Sequence, residues 1–259
     1  MDGTEDTPAG ATIPTNLRML LILEEIGRVG VPGTPTDVNQ TLGLPKPTIH
    51  RLFATLEAEG FLMRELDGRS YTPGRRLRSM SMHVLSSLRI RTARLAVLGR
   101  LADEIGETCN IAVPDREAMV YLDRVETKWP LRIQLPIGTR VPFYSTASGK
   151  MYLSTLKEAH LERYLRAAKF EAHTPKTISS IPLLRDEMAA IRVRGHAEDG
   201  EEFMEGMIAI AVPILDDQNR LLSTVSFHAP TLRLSLEQAR THVARLREAA
   251  QELARLLLL

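Results

Sequence analysis

The chain has almost nothing with which to crosslink itself. Cys109 is its one cysteine in 259 residues, which excludes a disulfide framework or a cysteine-rich metal site within one copy. At the head of the apolar run Asn110-Ile111-Ala112-Val113, it reads as a small core residue rather than a nucleophile. No apolar run reaches the roughly 18 residues of a membrane span. The N-terminal segment is acidic and has no basic n-region, so no secretory signal is expected and the expected location is the cytoplasm. There is no nucleophile elbow, phosphate loop or metal-ligand spacing, and no internal repeat or low-complexity segment. No cofactor, metal or catalytic residue is therefore expected. Net charge is only +1, so the whole chain is no polyelectrolyte.

What is present is ordinary in bulk and uneven in place. Hydrophobic residues make up 44% and charged residues 25%, as in a soluble globular protein of one or two domains. Residues 46–91, however, hold Lys46 and eight arginines against Glu57, Glu59, Glu65 and Asp67. Such a local excess of cations points to nucleic acid.

Residues 34–72 explain the excess. Thr34 is a candidate helix cap, Pro35 suits the first helical position, and Asp37 places a carboxylate near the positive helix end. Val38 and Leu42 share a face, Gly43 stops the helix in a left-handed conformation, and Leu44-Pro45 makes a turn. A second helix is predicted from Lys46 to Glu59. Its apolar set is Ile49, Leu52, Phe53 and Leu56. With Ile49 as origin and about 100° per residue, Pro47, Arg51 and Ala54 point the other way, flanked by Thr48, His50 and Thr55. Small, hydroxyl and cationic groups on an exposed face suit a helix entering a major groove. Phe61–Thr72 then reads as a hairpin turning at Asp67-Gly68, with Arg64, Arg69 and Tyr71 beside the turn. The stretch is a winged helix-turn-helix, and its candidate DNA-binding residues are Thr36, Lys46, Pro47, Thr48, His50, Arg51, Arg64, Arg69 and Tyr71.

Around it, residues 1–15 read as a disordered tail and 16–28 as a first helix, giving a DNA-binding domain over 16–74. A linker helix over 75–93 carries Leu77, Met80, Val84 and Leu88 at three- and four-residue spacing, a stripe suited to pairing two copies. From 94 to 259 the texture is mixed. A helix over Arg94–Ile105 precedes strands at Thr108–Val113, Met119–Val125 and Leu131–Leu135, the first two joined at Pro114-Asp115. Helices follow at Gly149–Leu156, Glu158–Lys169 and Ser180–Arg194, then strands at Met207–Leu215 and Leu221–His228. Ser235-Leu236-Glu237-Gln238 is a capping box opening a terminal helix that reaches Leu259. The fold class is α+β, with an antiparallel sheet and helices on its faces.

In that order, three groups of residues carry a resemblance over about residues 16–255. They are Leu42-Gly43-Leu44-Pro45-Lys46-Pro47-Thr48-Ile49-His50-Arg51-Leu52 with Thr55 to Phe61, then Tyr121 to Glu126, then Gly138 to Lys150 with Asp199-Gly200-Glu201. The chain resembles the IclR family of bacterial transcriptional regulators. The resemblance implies a winged-helix reader, a dimerising linker helix and a GAF-like effector domain that binds a small organic acid. It further implies a homodimer or a dimer of dimers on double-stranded operator DNA, with RNA polymerase as a further partner and no membrane. The sequence departs from the family at Pro47, where a serine is common. It departs again at Ala209, where a cysteine is common, and at Ser226 and His228, where two serines are common.

Ser226 and His228 alternate along one strand and share a face. Backbone amides where the Ser145-Thr146-Ala147-Ser148 loop enters a helix suit a carboxylate. With Asp199 and Ala209, which the resemblance implies, the candidate effector residues are Ser145, Thr146, Ala147, Asp199, Ala209, Ser226 and His228, with Met119, Ile133 and Leu135 for an apolar body. The expected function is a ligand-responsive regulator, in the first instance a repressor of a catabolic operon. Two other readings stay open. An architectural DNA-binding protein would need no effector, and a hydrolase built on the Ser–His and carboxylate groups would turn over a substrate and ignore DNA.

Overall fold

The computed structural model describes residues 13–29, 32–85, 88–130, 132 and 134–258. The chain divides into two units, Met1–Ser87 and Leu88–Leu259. In the first, α1 (Arg18–Val29), α2 (Pro35–Leu42) and α3 (Lys46–Ala58) precede a hairpin of β1 (Leu62–Arg64) and β2 (Tyr71–Pro73), and α4 (Arg75–Leu85) follows. Thr34 and Asp37 form a reciprocal capping box at the start of α2, satisfying donors that a helix start leaves open. Gly43 ends α2 at φ 62°, a conformation that side chains with a Cβ resist. The turn into α3 is held by Asn39, whose amide bonds both to the Leu44 carbonyl and to the Leu44 N–H, at 2.7 and 2.8 Å. Ile22, Ile26, Val38, Ile49, Phe53, Leu56 and Leu62 close a small core. Ile13, expected in the tail, packs against that core. Residues 1–12 of the expected tail lie outside the described residues.

The second unit is built on a six-stranded antiparallel sheet. β3 (Thr108–Asp115), β4 (Ala118–Val125), β5 (Arg140–Pro142), β6 (Ala197–Gly200), β7 (Met207–Leu215) and β8 (Leu221–Pro230) stand in the order β5-β4-β3-β8-β7-β6. α5 (Leu88–Ile105) and α10 (Val243–Leu258) pack on each other and on the sheet. α6 (Ala147–Thr155) packs on the sheet and on α8 (Ile181–Arg194), with α7 (Glu158–Ala167) between them in sequence.

Several boundaries differ from the sequence reading. α5 does not restart at Arg94 but continues from Leu88. Its first half is pinned to the sheet, because Arg91 and the fully buried Arg94 both bond to the buried carboxylate of Asp123, at 3.2 and 2.6 Å. Pro114 and Asp115 belong to β3, and the turn into β4 falls at Arg116, at φ 57°. No strand includes Arg132, Gln134 or Leu135. The alternation there is real, but the edge of β4 is taken by Arg140–Pro142. Leu131 and Ile133 lie outside the described residues. The capping box at Ser235 opens only α9 (Leu236–Arg240), and the chain bends at Thr241 before α10.

One irregularity decides what faces the helix layer of α6. Ile111 pairs with Asp123, yet the next residue, Ala112, pairs with Tyr121. Leu122 is the extra residue of a β-bulge, which lets two odd-numbered neighbours point to opposite faces. Asp123 meets α5, while Tyr121 joins Ala112 in the core beneath α6.

Candidate nucleic-acid interface and effector pocket

α3 buries Ile49, Phe53 and Leu56 and exposes Lys46, Pro47, His50 and Arg51, with Thr48 half-buried. Thr36 of α2 is exposed as well. The amphipathic split read from the sequence therefore survives folding, and the outward residues form one polar, cationic surface.

The wing differs. Tyr71 is buried, with its ring edge-on to Phe53 at 5.0 Å. It is a core residue and is withdrawn from the candidate DNA contacts. A strand alternates, and nearness to a turn does not reveal which face a residue takes. Arg64 is committed too. Its Nε and NH2 donate to the Glu57 carboxylate at 2.9 and 2.6 Å, and its NH1 donates to the Gly68 carbonyl at 3.1 Å. That pairing holds the Glu57 carboxyl below its ordinary range. Arg64 is better described as a brace between α3 and the wing than as a phosphate contact. Arg69 stays exposed and makes no ion pair among the described residues.

The second site is built row by row across the sheet. Thr108, His228, Ala209 and Asp199 stand opposite one another on four adjacent strands. Asn110, Ser226, Ala211 and Ala197 make the next row. Since paired residues share a face, the register itself brings His228, Ala209, Asp199 and Ser226 together. The N-terminus of α6 lies above them. Thr146 caps it, accepting from the Gly149 N–H at 3.1 Å and donating to the Pro142 carbonyl at 2.7 Å. Gly149 allows the approach: a Cβ there would lie 2.4 Å from backbone atoms of Phe143.

Between sheet and helix is a cavity of about 10 Å³, space for about one water molecule. Thr146, Ala147, Asp199, Ala209, Ser226 and His228 line it as expected, together with Tyr121, Ser148, Phe203 and Met207. Ser148 sits in the loop already singled out, and Tyr121 arrives through the bulge. Phe203 belongs to the segment between β6 and β7, for which the sequence carries no periodic signal, and Met207 opens β7.

Three expected residues do not line the cavity. Met119 is buried in the core of this unit, and Leu135 packs against its edge. Ser145 is buried behind the lining, and its hydroxyl has no hydrogen-bond partner. Ile133 lies outside the described residues.

The cavity's polar groups are organised rather than loose. The Ser148 hydroxyl bonds to that of Ser226 at 3.3 Å. The Asn110 amide meets His228 Nδ1 at 3.1 Å. An amide NH2 only donates, so Nδ1 accepts and the ring proton of neutral His228 belongs on Nε2. Asp199 accepts from the Glu202 N–H at 2.7 Å. Burial pushes its carboxyl up to about 7, so at neutral pH it is poised between acceptor and donor. Behind it, the buried Lys150 ammonium bonds to Glu202 and lies 3.4 Å from Glu187. Buried carboxylates are kept in place by such pairing.

The model of the IclR helix-turn-helix domain matches residues 17–65, and that of the bacterial transcriptional regulator IclR C-terminal domain matches residues 82–255. The chain belongs to the IclR family of transcriptional regulators. It is 36% identical over 239 residues to the probable transcriptional regulator SauR of Cupriavidus necator, covering 92% of this chain and 95% of that one. IclR of Thermotoga maritima superposes with a TM-score of 0.62 at 29% identity, over 93% of this chain and 97% of the other. The inducer-binding domain of PobR from Acinetobacter, solved as a double mutant with 3-hydroxybenzoic acid, matches with a TM-score of 0.59 at 26% identity. It covers 63% of this chain and 97% of that domain. As an IclR-family member the chain is a DNA-binding transcriptional regulator with an effector domain. Among the described residues no helix is long and apolar enough to cross a membrane.

Proposed function

We propose that this regulator senses a small organic acid and represses a catabolic operon in its absence. The observation that carries the reading is the cavity between α6 and the sheet. There Thr146 occupies the Gly149 amide and leaves the amides of Ala147 and Ser148, both lining residues, as donors toward an anion. Ser226, His228 and a half-protonated Asp199 stand opposite. A carboxylate seated at the helix end gains the favourable end of the helix dipole and two N–H donors. The aromatic acid bound by the PobR domain is a ligand of this chemistry in a related fold. With a free volume of about 10 Å³, the pocket admits such a molecule only by opening. Occupying an operator is enough to exclude polymerase, and an effector that lowers DNA affinity relieves the block. The protein acts as a homodimer, with α4 as the pairing helix, since it exposes Met80 and Val84. Two copies place two readers on two half-sites.

Calorimetry with a panel of small carboxylic acids tests the pocket. Binding by at least one acid, weakened in Ser226→Ala and His228→Ala, is the expected result. Affinity unchanged in both variants, or no acid bound, overturns it. Gel shift of duplexes selected from a random pool tests the reader. Binding should fall steeply with salt and change when the acid is added.

A further inference from the structure

The wing ends in a leucine rather than a cation. Leu66 is 107% exposed, in the Glu65–Gly68 turn of the loop over residues 65–70. That loop is not the two-residue turn that Asp67-Gly68 suggests. The Gly68 N–H bonds to the Glu65 carbonyl at 3.0 Å, and the Glu65 N–H bonds to the Ser70 carbonyl at 2.9 Å. The Asp67 carboxylate takes the N–H groups of Arg69 and Ser70, both at 2.8 Å, and the Ser70 hydroxyl at 2.5 Å. The tip is therefore stiff, its exposed anion is held by the loop's own donors, and Leu66 has no fold-back partner.

The tip is also fixed to the reading helix. Arg64 joins Glu57 of α3 to Gly68 of the loop, and Tyr71 of β2 packs on Phe53 of α3. A helix lying in a major groove thus carries the tip to a set place on the same duplex. Beside Leu66, Arg69 supplies an uncommitted cation, the charge that a narrow minor groove attracts. Leu232 and Val193 are nearly as exposed, at 87% and 90%, but they lie in the other unit. Leucine is among the side chains that proteins drive between base steps from the minor-groove side, kinking the duplex.

We propose that Leu66 is a wedge that enters the minor groove next to the α3 site, unstacks a base step and bends the operator, while Arg69 holds the flanking phosphates. The bend would make flexible pyrimidine–purine steps preferred at a position that no side chain reads by hydrogen bonding. This rests on the DNA-reading role of α3.

The test uses the full-length protein and a duplex that it selects from a random pool. If no duplex is selected, the reading of α3 fails and not the wedge. With a selected duplex, Leu66→Ala should weaken binding about tenfold and Leu66→Phe should retain it, with bending measured by gel mobility of permuted fragments. Leu66→Ala should lose the bend, and 2-aminopurine placed at the step should lose its fluorescence rise on binding. Unchanged affinity and bend in Leu66→Ala overturn the proposal. So does equal or tighter binding by Leu66→Lys with the same bend, which would make the tip a phosphate contact only.

Discussion

Replacing Asp199 by asparagine should flatten the dependence of stability on pH in the effector unit. Asp199 is 1% exposed, and burial lifts its carboxyl to about 7, against about 3.9 in an unfolded chain. The folded state therefore holds a proton that the unfolded state releases. This contribution is fully present below the unfolded value and is lost as pH rises through the folded one. Integrating the difference in bound protons, the native state loses roughly 2–3 kcal/mol between pH 5 and pH 8 through this group. Glu202 is also raised, first by burial, and adds a slope of the same sign that the variant keeps. Asparagine retains an oxygen to accept the Glu202 N–H and has no proton to release. The assay is urea unfolding followed by tryptophan emission at pH 5, 6, 7 and 8. Trp129 is the chain's one tryptophan and lies in the unit Leu88–Leu259, so its signal reports the unit that holds Asp199. Wild type should lose more stability over that interval than Asp199→Asn, by roughly 2–3 kcal/mol. Equal slopes would refute the argument that burial holds this proton.

Gly149→Ala should destabilise the same unit by about 2 kcal/mol or more, because the new methyl falls 2.4 Å from the Phe143 backbone; a thermal melt by Trp129 emission measures it, and a wild-type midpoint would contradict it. Tyr71→Phe should leave DNA affinity unchanged, whereas Tyr71→Ala should cost about 3 kcal/mol in folding of the N-terminal unit, read by circular dichroism and gel shift. Arg51→Ala should lose about 1–3 kcal/mol of discrimination between selected and random duplexes, while Arg69→Ala should weaken both alike. Competition binding separates the two, and equal losses for both variants would count against α3 as the reader.

Much of the N-terminal unit is legible because its signals are local. The Thr34–Asp37 box, the left-handed Gly43 and the outward face of α3 all follow from spacings of a few residues. Asn39, which clamps the turn through its side chain, carries no such spacing. In the wing, Tyr71 fails for a different reason. Its face depends on the register with β1 and on the contact with Phe53, neither of which is written beside the turn. In the effector unit, alternation found Ser226 and His228, and the sheet pairs them with Ala209 and Asn110. Alternation also suggested a strand at Leu131–Leu135, where the edge position went to Arg140–Pro142. Phe203 reaches the cavity from an irregular segment whose path is set by long-range bonds, such as that from the Thr177 hydroxyl to the Glu202 carbonyl at 2.6 Å. No pattern within a short window encodes that.

The bulge at Leu122 acts as a phase shift in a two-beat rhythm. With it, Tyr121 and Asp123 serve opposite sides of the sheet. Remove that one residue, and Tyr121 and Asp123 become neighbours in strict alternation, still opposite Ala112 and Ile111 and still on opposite faces. Insert a residue instead between Ile111 and Ala112, and Leu122 gains a partner, Tyr121 and Asp123 fall on one face, and either the phenol leaves the pocket or the carboxylate leaves Arg94. The composition of the effector site is thus written partly in the length of a strand, and a single-residue insertion between Ile111 and Ala112 would edit it without altering any side chain that lines it.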